Sequence, residues 1–119
     1  MKHGRGRLVL AAALFCALMT APAWSADADG KQAFMKQKCN KCHSVATEGI
    51  EHTAASEKMW GPDLNGVGLN RDAEWLSQFV LKEVEVEGKK HKSTFKGSKK
   101  ELAAIVAWLA DRKAATDAE

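Results

Sequence analysis

A cysteine pair followed at once by a histidine carries the clearest chemistry in this sequence. Two residues separate Cys39 from Cys42, and His43 comes directly after the second thiol. Two thiols and an imidazole at this spacing suit three kinds of site: a redox-active dithiol, half of a structural zinc site, or a covalent anchor for c-type haem. The three differ in what the rest of the chain must provide.

The surroundings of the motif favour the haem. A redox dithiol needs its first cysteine at the start of a helix, whereas Cys39 follows a helix predicted over residues 29–38, where the helix dipole disfavours a thiolate. A structural zinc ion takes a full set of protein ligands, and the sequence has no second Cys or His pair at zinc-finger spacing. In the haem interpretation each thiol adds to one vinyl group, and His43 is the proximal iron ligand.

The N-terminal residues predict export. Basic residues precede an apolar stretch over residues 8–19, and small residues then offer a cleavage site near Ser25. The apolar stretch is shorter than the ~20 residues that span a bilayer. We therefore predict a periplasmic protein with no membrane span after cleavage, divided into a signal peptide over residues 1–25 and a mature domain over residues 26–119.

Charge and size restrict the class of the mature domain. The sequence has 18 Lys and Arg, of which three lie in the predicted leader, which leaves 15 basic residues against 15 Asp and Glu. This balance argues against a nucleic-acid-binding protein. A domain this small has a marginal core, and a disulfide between Cys39 and Cys42 would close too short a loop to stabilise it much. A bound haem would supply the missing apolar mass.

Hydrophobic periodicity predicts helices on both sides of an irregular segment over residues 39–70. A second helix is expected after Asn70, its predicted N-cap, and a capping box formed by Ser98 and Glu101 opens a third. The third helix has the best apolar face, made of Leu102, Ile105, Val106, Trp108 and Leu109. Residues 83–92 suggest either a small hairpin in which acidic and basic arms pair or a solvated charged turn. The prediction is an all-α fold whose long loop wraps the haem.

Further residues carry a family resemblance. Gly30 and Phe34 precede the CNKCH motif as a small residue and an aromatic on the first helix, and Trp108 lies on the last. Residues 61–64 read Gly-Pro-Asp-Leu, the form of a Gly-Pro-x-Leu turn. On these residues the chain resembles the class I c-type cytochromes over nearly all of its mature length.

The resemblance implies a fold and a site. The fold would be the small cytochrome c fold, with about three to four helices around one covalently bound haem c and its iron. Cys39 and Cys42 would attach the haem, and His43 would be the proximal ligand. The Pro62 carbonyl would accept a hydrogen bond from His43 and fix the orientation of its ring.

The sequence departs from this family at the sixth iron ligand. The family usually provides a methionine before the last helix, but no methionine follows Pro62. His91 lies close to that position, one residue farther from Phe95 than in the common Met-x-x-Phe pattern. We predict His91 as the distal iron ligand. The alternatives are His52, a lysine beside His91, and an iron that is open or binds water.

These inferences predict an exported monohaem carrier of single electrons with bis-histidine ligation, and not an enzyme. Its partners would be redox proteins, and the lysine-rich loop over residues 89–100 would attract acidic ones. Two other functions stay open: a haem subunit of a periplasmic oxidoreductase complex, and a gas-binding or sensing haem protein if the sixth site is open.

Overall fold

The computed structural model describes residues 26–115 and contains three α-helices: α1 (Ala26–Lys36), α2 (Ala73–Val80) and α3 (Lys99–Ala110). Between α1 and α2 the chain forms single turns of 3-10 helix at Cys39–Lys41, Ala46–Glu48, Glu57–Met59 and Val67–Leu69. The described residues form no β-strand, only two isolated bridges. The predicted all-α fold is therefore confirmed. The predicted signal peptide lies outside the described residues.

The crossing of α1 and α3 forms the centre of the fold. A Cβ atom on Gly30 would overlap the Cβ of Trp108 and lie 2.6 Å from the Ala104 carbonyl oxygen, so glycine permits this approach. The rings of Phe34 and Trp108 pack with their centroids 5.3 Å apart. Around them lie the other buried apolar side chains, Ala33, Val45, Ile50, Leu76, Leu102, Ile105, Val106 and Leu109. The predicted apolar face of the last helix is confirmed.

Three predicted helix boundaries were wrong. Asp29 lies inside α1, which already includes Ala26, and α1 ends before Lys38, whose φ of 59° is left-handed. The N-cap of α2 is Asp72 and not Asn70, because Asn70 still belongs to the turn that ends the preceding 3-10 helix. The Asp72 carboxylate accepts a hydrogen bond of 2.8 Å from the Trp75 amide. The capping box of Ser98 and Glu101 is confirmed.

The predicted hairpin is reduced to one tight turn. Val86 and Lys89 exchange two backbone hydrogen bonds of 2.9 Å, and the residues between them, Glu87 and Gly88, have φ of 51° and 75°. Positive φ at both central positions is typical of a type I′ turn. Within residues 26–115 no ion pair joins the acidic and basic arms, and Lys92 donates to the Lys58 backbone carbonyl, outside this segment.

The loop after the CNKCH motif is tied to both terminal helices. Glu48 accepts from Arg112 beyond the end of α3 and from Lys31 of α1, the latter over 3.4 Å. The Arg112 guanidinium also lies over the Trp108 ring, 5.0 Å from its centroid. These contacts hold the loop against the helix crossing. Among the described residues, no helix has the length and apolar character to cross a membrane.

Candidate haem-binding site

The chain turns sharply where the candidate ligands begin. The left-handed Lys38 ends α1, and the following 3-10 turn is closed by the His43 amide, which donates to the Cys39 carbonyl over 3.0 Å. This tight turn brings Cys39, Cys42 and His43 together. Both thiols are free, with no disulfide between them.

The Cys39 thiol is not a redox-active thiolate. Burial raises the pKa of Cys39 to about 11, an effect larger than the opposing hydrogen bond with its own backbone. A thiol with this pKa is protonated at neutral pH, whereas a catalytic dithiol depends on a lowered pKa. The environment therefore argues against the redox interpretation and is compatible with a thiol that is to be converted to a thioether.

A second segment holds His43 from the side. The Gly61 amide donates to the Cys42 carbonyl over 2.7 Å, and the Leu64 amide donates to Ser44 over 2.9 Å. Between these bonds, His43 Nδ1 donates to the Pro62 carbonyl over 2.8 Å. A carbonyl accepts only from a protonated Nδ1, so Nε2 is the nitrogen left with a lone pair for a metal.

Gly61 is required by the position of the His43 ring. A Cβ atom on Gly61 would lie 2.7 Å from His43 Nδ1 and 3.0 Å from Nε2. The ring thus packs directly on the Gly61 backbone. Burial is also the main reason that the pKa of His43 lies below its ordinary value, which favours the neutral imidazole that metals bind.

His91 lies opposite His43, although 47 intervening residues separate the two in sequence. Their ring centroids are 6.2 Å apart and their planes differ by 12°. His91 Nδ1 donates to the Ser93 carbonyl over 2.9 Å, which leaves Nε2 as its second ring nitrogen for a metal. The edge of the Phe79 ring supports His91, with centroids 5.6 Å apart. Both imidazoles therefore use Nδ1 for a backbone carbonyl.

The spacing of the two rings fits two ligands on opposite sides of one metal ion. A ligating imidazole nitrogen lies about 2 Å from a metal and the ring centre about 1 Å farther, so two opposed imidazoles place their centroids about 6 Å apart. Within residues 26–115 there is no group of three or more His, Cys, Asp or Glu side chains that could hold a metal ion. A pair of imidazoles beside two free thiols suits an iron whose other positions are filled by a macrocycle.

The alternative ligand His52 is engaged elsewhere. Its ring packs against Trp60 with centroids 4.1 Å apart, and Trp60 Nε1 donates to the Ala54 carbonyl over 2.7 Å. The structure therefore brings together the predicted residues of the motif, Pro62 and His91, and it gives His52 a packing role.

Two contributions to the site were missed from the sequence. Phe79 is one of several apolar residues in the sequence of α2, and only the fold shows that it contacts His91. Lys92 was predicted as a docking residue, but its ammonium donates to the Lys58 carbonyl over 3.1 Å. A lysine gives no sequence signal for a backbone acceptor so distant in the chain.

Comparison with known families identifies the family of this chain. A family model described as Cytochrome c matches residues 28–113. The chain therefore belongs to the cytochrome c family, as a class I c-type cytochrome that binds covalently attached haem c with its iron. Members of this family are generally electron carriers, they are typically exported, and their partners are redox proteins. Neither the curated proteins nor the solved structures gave a match.

Proposed function

We propose that this chain is an exported, periplasmic carrier of single electrons whose haem iron has two histidine ligands. Cys39 and Cys42 attach the haem through thioether bonds, His43 is the proximal ligand, and His91 is the distal one. The bound haem supplies an iron that changes between Fe(III) and Fe(II).

One observation carries the proposal: two nearly parallel imidazoles at 6.2 Å, each with Nδ1 bonded to a backbone carbonyl. The two carbonyls, from Pro62 and Ser93, select the same tautomer in both rings and restrict their rotation. Nε2 of both rings is thereby left available to a metal without a change of tautomer. Fixed ligands suit electron transfer, because the geometry of the site changes little when the charge changes.

The residues that surround the two imidazole rings differ between the His43 side and the His91 side of the site. On the His43 side, Gly61 and Pro62 hold the ring from the backbone. On the His91 side, Phe79 packs against the ring. The exposed residues Lys89, Lys90 and Lys96 place positive charge on and beside the loop that carries His91. This charge supports the proposal that acidic redox proteins dock there.

Spectroscopy of His91→Ala, with His52→Ala as the matched control, tests the ligand set. The wild type should be low-spin in both oxidation states and should lack the sulfur-to-iron band of a methionine ligand. His91→Ala should produce a high-spin component and bind carbon monoxide rapidly after reduction, whereas His52→Ala should retain the wild-type spectra. A low-spin spectrum that persists in His91→Ala would exclude His91 as the ligand.

The same spectra distinguish the carrier from a gas-binding protein. With two imidazole ligands, carbon monoxide binds only after His91 leaves the iron, so binding to the reduced wild type should be slow. Rapid binding to the wild type would favour a sensing function. The redox potential should lie below that of a methionine-ligated relative with similar haem exposure, because Met/His ligation raises the potential.

A further inference from the structure

The loop that presents His91 has an unusual means of attachment. Within the described part of the chain, residues 90–97 take part in no backbone–backbone hydrogen bond. The recorded hydrogen bonds of these residues all involve His91 or Lys92. Apart from the packing of Phe95 on the core and of His91 against Phe79, the loop therefore depends on side-chain hydrogen bonds to fix its position.

Lys92 is the residue at which this loop is joined to its surroundings. Its ammonium donates to the Lys58 carbonyl over 3.1 Å, and its own carbonyl accepts from the Lys82 ammonium over 3.2 Å. Lys82 follows the end of α2, and its backbone has a left-handed φ of 64°. The two bonds thus connect three segments: the end of α2, the His91 loop and the 3-10 turn Glu57–Met59.

The turn that Lys92 reaches belongs to the opposite side of the site. Lys58 lies four residues before Pro62, whose carbonyl accepts from His43. A single side chain therefore joins the loop of one proposed ligand to the segment that holds the other.

We infer that Lys92 is a positioning residue that keeps His91 opposite His43 by tying the distal loop to the turn at Lys58. This inference rests on the proposed bis-histidine ligation. This loop has no backbone–backbone hydrogen bonds to stabilise its conformation. Loss of the hydrogen bond from Lys92 to Lys58 should therefore raise the fraction of molecules in which His91 has moved away from its position opposite His43. A single hydrogen bond contributes about 0.5–1.5 kcal/mol, which corresponds to roughly a two- to tenfold change in that fraction.

The test compares Lys92→Met with Lys90→Met in the haem-loaded protein. Both changes remove one positive charge beside His91, but no hydrogen bond or ion pair is recorded for Lys90 within residues 26–115. The readout is the rate at which carbon monoxide binds to the reduced protein, because binding requires His91 to leave. We expect about a two- to tenfold faster rate in Lys92→Met and no change in Lys90→Met. Lys92→Arg, which retains a donor, should largely restore the wild-type rate.

Two results would overturn the inference, and they can be distinguished. If His91→Ala binds carbon monoxide rapidly while Lys92→Met behaves like the wild type, the tether is wrong and the proposed ligand set stands. If His91→Ala leaves the spectra unchanged, the ligand set is wrong and the inference falls with it. Cleavage by chymotrypsin after Phe95 provides a readout that does not involve the iron: it should be faster in Lys92→Met than in Lys90→Met, and equal cleavage rates would count against the tether.

Discussion

The two sides of the proposed haem site are built on different principles. On the His43 side, the Gly61 amide donates to the Cys42 carbonyl and the Leu64 amide to the Ser44 carbonyl, and these bonds hold the proposed ligand in a rigid frame. On the His91 side, residues 90–97 form no backbone–backbone hydrogen bond within the described chain, and lysine side chains take their place. Backbone hydrogen bonds therefore fix the position of His43, whereas the position of His91 depends on side chains that a substitution can remove. Each prediction below tests that difference.

The largest effect is expected from the covalent anchor. In Cys39→Ser combined with Cys42→Ser, little folded protein should form, because the apolar macrocycle fills the core and binds the native state. His91→Ala, on the other side, should still fold. Haem staining of a denaturing gel and circular dichroism measure the two outcomes. Haem that acid–acetone extracts from a normally folded wild type would contradict the covalent attachment.

A glycine on each side offers a matched pair of substitutions. An added Cβ at Gly61 meets the His43 ring, which its bond to Pro62 prevents from moving, so Gly61→Ala should destabilise by about 1–3 kcal/mol. At Gly97 the Cβ would meet the far ends of the Phe95 and Gln37 side chains, at 2.7 Å and 2.8 Å, and a small shift of these ends, with Gln37 keeping its hydrogen bond to Glu101, relieves the contact. Gly97→Ala should therefore destabilise by about 1 kcal/mol or less.

Chemical denaturation of the two haem-loaded variants provides the measurement. Equal losses of stability in Gly61→Ala and Gly97→Ala would contradict the distinction between a rigid His43 side and an adaptable His91 side. A loss confined to Gly97→Ala would reverse it.

The rigid side was largely predictable from the sequence because its causes are local. The motif at residues 39–43, the Gly-Pro turn and the capping box at Ser98 each occupy a few consecutive residues, and short spacing determines their geometry. The residues that meet at the crossing of α1 and α3, Gly30, Phe34 and Trp108, were recognised only through the family resemblance. His91 was predicted as a ligand from its position before α3; the structure places its ring centroid 6.2 Å from that of His43, and its ligation of the iron stays a prediction.

The adaptable side was less predictable because its contacts join distant residues. Lys92 reaches Lys58 and Lys82 reaches Lys92, and any exposed lysine could make such bonds to a backbone carbonyl. The N-cap of α2 was misassigned for a different reason. Asn70 and Asp72 are both good capping residues, and only the preceding 3-10 turn decides between them.

The lysines of the distal side are expected to affect the rate of electron exchange. Lys89→Gln, Lys90→Gln and Lys96→Gln together should slow oxidation of the reduced protein by the anion ferricyanide about three- to tenfold at low salt. The difference should shrink as salt screens the charges. Lys92 is retained in this variant, because its ammonium already bonds to Lys58 and its loss would disturb the loop.

Stopped-flow rates with the cation hexaamminecobalt(III) as a second oxidant are the control. Loss of positive charge should speed this reaction where it slows the first. A change in the same direction for both oxidants would indicate an altered haem environment and would contradict electrostatic steering.

The smallest effect on stability is expected at the start of α3, where the loop that carries His91 ends. The Glu101 carboxylate accepts from Gln37 Nε2 over 2.7 Å, and this bond links the start of α3 to the chain just beyond α1. The hydrogen bond from Gln37 is the main reason that the pKa of Glu101 lies below its ordinary value of 4.5. A carboxyl whose pKa is lower in the folded state stabilises that state fully above its unfolded pKa, and the contribution is lost as the pH falls through the folded value.

Glu101→Gln isolates this contribution, because glutamine also completes a capping box and the change removes mainly the charge. The variant should melt slightly below the wild type at about pH 7, and the difference should shrink on the way to about pH 3 as the wild-type carboxyl gains a proton. Glu85→Gln, an exposed carboxylate of the tight-turn segment, controls for overall charge. Melting curves across this range decide the matter. A difference in melting temperature that is constant with pH would mean that Glu101 stabilises the start of α3 only through the geometry of its hydrogen bonds. The charge of its carboxylate would then contribute nothing to stability.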